Sequence, residues 1–136
     1  MRVSAACCMV LAVCLSGCGG GSDGPSRVDV SGQVTYQGKP IPRGQIRFVP
    51  TGPEGGPIAA VEIRDGKYAA MGETGVPVGT HRLEFLGFKI VGATSPADMV
   101  GAGEEQYIAE KHNAKSTHTL KVPAGSPPLT ENFELD

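Results

Sequence analysis

Alternation begins at Val28. Val28, Val30, Val34 and Tyr36 fall on one side of an extended chain, while Asp29, Ser31, Gln33 and Thr35 fall on the other. That period of two is the signature of a half-buried β-strand. Residues 37–44 are dense in glycine and proline and read as a turn. A second strand over 45–50 sends Ile46 and Phe48 inward, and the stretch 51–57 carries too much Gly and Pro to pair regularly. Apolar segments 58–63 and 67–71 flank Arg64-Asp65-Gly66, and Asp-Gly at that spacing predicts a tight hairpin. After a turn over 72–79 comes the longest strand, 80–90. There Leu83 and Phe85 share a face and Phe88 and Ile90 continue in the opposite phase, so Leu86-Gly87 between them predicts a bulge or bend.

Residues 91–113 contain Gly92, Pro96, Gly101 and Gly103 without a sustained period. A segment of that length inside a compact domain is usually functional or disordered, so it is the expected partner-contact surface, with Tyr107, Glu104, Glu105 and His112 as candidates. Two last strands, 115–122 and 129–135, turn His118, Leu120 and Val122, then Leu129, Phe133 and Leu135, inward. Residues 123–128 are expected to connect this final pair. No internal repeat and no sustained amphipathic helix occurs. About seven short strands with turns roughly every 8–12 residues predict an all-β sandwich.

The segment ahead of Val28 follows a different logic. Met1-Arg2 precedes an apolar run of 13 residues, 3–15. Crossing about 30 Å of hydrocarbon takes roughly 20 such residues, so the run reads as the core of a signal peptide. It closes on Leu15-Ser16-Gly17-Cys18, which resembles the lipobox of bacterial lipoproteins. The resemblance implies removal of residues 1–17, a diacylglycerol on the Cys18 sulfur and, often, acylation of the new amine. An ordinary secretory signal cut elsewhere would leave Cys18 incidental. Residues 18–27 then form the lipidated cysteine and a Gly-rich linker with a reach of roughly 15–18 Å. Two or more acyl chains, at ~0.8 kcal/mol per buried CH₂, hold a protein on a membrane effectively permanently. The expected location is the cell envelope, lipid-anchored on the periplasmic side or at the outer membrane and cell surface. Gly19 in place of Asp favours the outer membrane by the enterobacterial sorting rule that accompanies this resemblance.

Composition then changes two things. Four cysteines in an exported chain suggest a disulfide framework, but Cys7, Cys8 and Cys14 lie in the prefix and Cys18 is consumed by lipid. The domain over 28–136 must therefore cohere by packing alone. Without Arg2 the mature chain has 11 basic against 14 acidic residues, interspersed, which excludes a nucleic-acid footprint.

Val30-x-Gly32-x-Val34-x-Tyr36-x-Gly38-x-Pro40-Ile41-x-x-Gly44-x-Ile46-x-Phe48-x-Pro50 resembles the opening of transthyretin-like, carboxypeptidase-regulatory-type β-sandwich domains. Asp65-Gly66-Lys67-Tyr68, followed by Gly75-Val76-Pro77-Val78-Gly79-Thr80-His81-Arg82-Leu83, is similar to their middle. Ile108-x-x-Lys111-His112-Asn113-x-Lys115-Ser116 with Phe133-x-Leu135 resembles the close of small lipoproteins of this type found in planctomycete-like bacteria. The resemblance implies a seven- to eight-stranded transthyretin-like (prealbumin- or Ig-like) sandwich. Ala109 and His112 depart from it, standing where proline and tyrosine are usual.

The search for chemistry finds no convergent set. His81, His112 and His118 lack zinc-site spacing, and no cysteine of the domain assists them. Each reads as a surface or half-buried histidine, and no metal site is expected. Glu104, Glu105 and Glu110 lack the Asp-x-Asp spacing of a calcium loop. No serine has an evident base and orienter. Hydroxyisourate hydrolases of the transthyretin-like fold imply a His/Arg/His site and a Tyr-Arg-Gly-Ser ending, whereas this sequence reads Phe133-Glu134-Leu135-Asp136 there. The expectation is a non-catalytic, lipid-anchored binding or structural module with no cofactor beyond the covalent lipid on Cys18. Its expected partner is an envelope protein or, alternatively, an envelope polysaccharide. The polysaccharide reading is weakened by the shortage of aromatics, since Tyr36, Tyr68 and Tyr107 are all the tyrosines and no tryptophan is there to stack on a sugar.

A first prediction follows from Cys18. Expressed in a bacterial host, the protein begins at residue 18, carries acyl mass and enters the detergent phase, and Cys18→Ser does none of these. Intact mass and detergent partitioning read both.

Overall fold

The computed structural model describes residues 24–53, 55–99 and 101–136. The expected signal peptide, the lipobox and residues 18–23 of the linker lie outside the described residues. The strands are β1 (Arg27–Val28), β2 (Val30–Tyr36), β3 (Lys39–Pro40), β4 (Arg43–Pro50), β5 (Ala59–Arg64), β6 (Lys67–Ala70), β7 (Val76–Pro77), β8 (Gly79–Val91), β9 (Gly103–Gln106), β10 (Thr119–Val122), β11 (Leu129–Thr130) and β12 (Phe133–Leu135). Short 3-10 turns occupy 72–74, 96–99 and 110–112, and the described residues contain no α-helix. The fold is all-β.

One large sheet runs in the order β10-β8-β4-β5-β6-β2-β11, with β3 and β12 also on β2 and β9 on β8; β1 and β7 form a separate ribbon. The sheet curls on itself to make the two layers of a β-sandwich. Its halves are joined through β5 and β6 by a single residue pair, Arg64↔Lys67. The turn between them is the one Asp-Gly demands: Asp65 at φ 50° and Gly66 at φ 73°, the paired positive angles of a type I′ hairpin. Alternation then fills the interior. Val30 and Val34, Ile46 and Phe48, Val61 and Ile63, Tyr68 and Ala70, and Leu83 and Phe85 are buried at every second position. Each large apolar side chain so removed from water contributes about 1.5–3 kcal/mol before entropy is counted.

Four features differ from the sequence expectation. The first strand breaks at Asp29, with β1 pairing β7 and β2 pairing β6. The Asp29 carboxylate accepts the Gly72 N–H at 2.8 Å and its carbonyl accepts the Leu129 N–H at 2.8 Å. Second, no bulge interrupts β8, because its ladder with β4 runs without a slip from Pro50↔His81 to Gly44↔Gly87. Gly87 is small for another reason. A Cβ there would stand 2.9 Å from the Tyr107 ring, so its missing side chain makes room for that ring.

Third, residues 91–113 are not one irregular loop. Gly103–Gln106 forms β9 against the end of β8, and 110–112 is a 3-10 turn. Fourth, the last two strands do not pair with each other. β10 pairs antiparallel with β8, while β11 and β12 pair parallel with β2, at the other end of the sheet order. Gly32 permits this. A Cβ at Gly32 would lie 1.8 Å from the carbonyl oxygen of Glu131, between β11 and β12, and the Tyr68 hydroxyl donates to that same oxygen at 2.8 Å.

The Glu131 backbone cannot move away without losing its Tyr68 bond, so Gly32→Ala is expected to cost about 2–4 kcal/mol. Gly103→Ala, where the nearest atom is an ordinary 3.5 Å away, is expected to stay within about 0.5 kcal/mol. Urea unfolding of the two variants checks the contrast.

Candidate functional site

Strand β8 spans 13 residues, about 40 Å at the usual rise of an extended chain. Its ends define two poles. Residues arriving from the linker enter through β1, paired to β7 just ahead of Gly79, and Ser26 accepts the Val78 N–H at 2.9 Å. At the opposite end the 96–99 turn follows Val91, and β9 lies alongside Phe88–Val91, the last residues of β8. The far pole is thus at the opposite end of β8 from the point where the chain enters.

On the outer face near that far pole, the alternate residues of four strands converge. Arg43 and Gln45 of β4, Glu62 and Arg64 of β5, Phe88 of β8 and Glu104 of β9 line a groove of about 530 Å³. Arg43 is ion-paired with Glu104, their side chains 63% and 43% exposed. Arg64 donates through Nε to Glu62 at 2.9 Å. The groove thus has a half-buried aromatic wall and two guanidinium groups, each already balanced by a carboxylate. Such exposed pairs contribute little to stability, so they can exchange partners at small cost. Further along the same face, Glu84 is buried and receives Arg47 at 2.8 Å and Arg82 at 2.6 Å, while Arg82 also donates to the Ala114 carbonyl at 3.2 Å.

Phe88 is set apart from every other ring. His81, Phe48, Tyr68, Phe133, Phe85, His118, His112, Tyr36 and Tyr107 form one continuous line, each ring centroid 5.1–6.5 Å from the next. The line includes every aromatic and histidine ring of the sequence but Phe88. Tyr107 is its last member, half-buried over Gly87 and raised in pKa by burial and then by Tyr36. Phe88 and Tyr107 are both half-buried, but Tyr107 packs against the core over Gly87 while Phe88 lines the groove on the outer face.

The four expected contact residues do not form one surface. Glu104 and Glu105 are exposed but point to opposite faces of β9, toward Arg43 and Lys89 respectively. His112 is 4% exposed and so is removed from the surface. Glu110 pairs with Lys115, so the three glutamates do not converge on a cation. The described residues hold no cluster of three or more His, Cys, Asp or Glu side chains suited to a metal ion.

The histidines that spacing kept apart do meet. His112 Nδ1 lies 3.0 Å from His118 Nε2, with the rings stacked at 25°, and His112 Nε2 lies 2.8 Å from the Asp136 backbone oxygen. Burial first, and then His112, holds the His118 pKa below its ordinary value, with Asp136 acting weakly the other way. Asp136 is itself held low, chiefly by its hydrogen bond from Lys111. At the other end of the ring line, His81 is 1% exposed and contacts the Pro77 carbonyl through Nε2 at 2.7 Å.

No family model matches the chain, and no curated protein matches it. Among solved structures, a DUF3823 family protein from Parabacteroides merdae is similar at 20% identity and a TM-score of 0.47. The match covers 82% of this chain and 46% of that one, so this chain spans about half of its length. That likeness carries no argument about function.

Glu84→Gln keeps the shape but removes the charge between Arg47 and Arg82. It is expected to lower stability by about 1–2 kcal/mol, discounted because both arginines are partly exposed. Thermal melts at low and high salt check this, the difference from wild type shrinking as salt screens the pairs.

Proposed function

We propose that this chain is a lipid-anchored, non-catalytic binding module of the cell envelope, of the transthyretin-like, carboxypeptidase-regulatory type. Cys18 carries the lipid, residues 19–27 give reach, and the sandwich presents its far pole to an envelope protein. One observation supports this most. The linker enters at one end of a strand about 40 Å long, and the groove with the outward Phe88 lies near the other. A module tethered at the groove end would face its own membrane. A module tethered as this one is projects the groove away from it.

The groove's chemistry suits a polar segment with an apolar contact. Phe88 supplies a flat apolar wall, Gln45 a neutral donor and acceptor, and Arg43 and Arg64 planar forks for carboxylates. The second reading, recognition of envelope polysaccharide, is favoured by Phe88 alone, since an outward ring beside polar groups can pack on a sugar face.

Cys18→Ser protein, free of the tether, is expected to bind isolated envelopes and to lose that binding when the envelopes are first treated with protease. Arg43→Glu with Arg64→Glu lowers binding at least tenfold, while Lys121→Glu at the near pole leaves it unchanged. Binding that survives protease but not polysaccharide digestion transfers the assignment to the second reading. Absence of binding in every preparation overturns the binding-module proposal.

A further inference from the structure

The large sheet is bounded by β10 and β9 on β8 at one end of its order and by β11 and β12 on β2 at the other. Two histidines tie these edges together. His118 leads directly into β10, and His112, through Nε2, holds the backbone oxygen of Asp136 immediately after β12. The 110–118 segment therefore closes the seam of the sandwich, and its central contact is the 3.0 Å His112–His118 pair.

The proton positions in that pair follow from its partners. A backbone oxygen only accepts, so His112 Nε2 carries a hydrogen and donates to Asp136. In the neutral ring, Nδ1 is then a bare acceptor, and His118 Nε2 must donate to it. One added proton fits this arrangement, either on the free Nδ1 of His118 or shared between the facing nitrogens. A second does not. With both rings charged, both facing nitrogens carry hydrogens, and N–H points at N–H across 3.0 Å between two stacked cations.

The surroundings oppose that second charge. The Phe85 ring from β8 stands edge-on to His118, and the Tyr36 ring from β2 stands edge-on to His112. Two Asp136 oxygens face His112 Nε2, the backbone oxygen at 2.8 Å and the carboxylate at 3.4 Å. They favour one charge, on His112, but the carboxylate is exposed and shared with Lys111 at 3.1 Å, and neither reaches His118. Glu110 is occupied by Lys115, and Arg82 by Glu84 and the Ala114 carbonyl. The Ser116 hydroxyl accepts the His118 backbone N–H at 3.2 Å and leaves the ring uncompensated.

We propose that His112 and His118 form a proton-operated latch on the seam. It is closed while the pair carries at most one extra proton and opens when both rings are charged. Opening releases β11 and β12 from β2 and exposes the backbone edge of Val30–Tyr36. The sign agrees with the lowered His118 pKa. A histidine harder to protonate folded than unfolded costs nothing above its ordinary value, near 6.5. Folded stability is lost as pH falls below that value.

The test compares the full chain in detergent micelles with His118→Gln, whose side-chain amide can donate to His112 Nδ1 without titrating. Hydrogen exchange, corrected for intrinsic rates, is followed at Thr119–Val122 and Phe133–Leu135 between pH 7.5 and 5. In the wild type exchange should accelerate by roughly fivefold or more, the equivalent of one lost hydrogen bond. In His118→Gln most of the acceleration should disappear. His81 is common to both proteins and cancels in the difference. If His118→Gln is too unstable to compare, the imidazole resonances of the wild type decide. Two well-separated titration steps for His112 and His118, the lower coinciding with loss of the β12 amide protection, support the latch. Equal pH slopes in the two proteins, or independent titration of the two rings without a change at β12, overturn it.

Discussion

Between β5 and β6 a single residue pair, Arg64↔Lys67, joins the two halves of the large sheet, and a few backbone bonds among Val34, Ile41, Pro42, Asp65 and Gly66 close the same corner. A joint that narrow cannot hold two layers together, so closure depends on side chains meeting across the interior. The chain has few bulky residues for this, with 5% aromatics and no tryptophan, and places nearly all of its rings on one line. Phe48 and Phe85 come from β4 and β8. Tyr68 and Phe133 come from β6 and β12, and the Phe85–Phe133 contact at 5.1 Å is the shortest ring contact between the halves. Offset and tilted ring pairs of this kind add to the free energy of burial. The same line continues through His118 and His112 to Tyr36 and Tyr107, so the packing that closes the layers also carries the contact across the seam.

Much of this was legible in the sequence, for a simple reason. A period of two reports which residues face the core, and Val30, Val34, Ile46, Phe48, Leu83 and Phe85 all sit where alternation places them. Asp65-Gly66 fixed its hairpin because only residues tolerant of positive φ can make that turn. Alternation does not report which strand lies alongside. Leu129, Phe133 and Leu135 have the same pattern whether paired antiparallel to β10 or parallel to β2, so the true partner stayed hidden. Glycine was ambiguous in the same way. At Gly87 a bulge and a space for the Tyr107 ring leave the same residue in the sequence.

The candidate site was less legible than the core. Arg43, Gln45, Glu62, Arg64 and Phe88 are all outward by parity, yet nothing along the chain says that four strands bring them to one groove. Phe88 was visible as a residue in the opposite phase to Leu83 and Phe85, the signal that separates it from the other rings. His112 and His118 were misplaced for a related reason. Five intervening residues preclude a regular helical or strand pairing, and only the 3-10 turn at 110–112 turns one ring onto the other. His112 places its ring at the point where the seam closes, between His118 and the Asp136 backbone oxygen.

The measurement that tests this account most directly is a double-mutant cycle on Phe85→Leu and Phe133→Leu by urea unfolding. If rings rather than backbone pairing hold the halves together, the two substitutions are coupled by about 1 kcal/mol, the double variant losing less than the sum of the singles. Strict additivity within about 0.3 kcal/mol would contradict it, since the two rings would then stabilise their own layers without joining them.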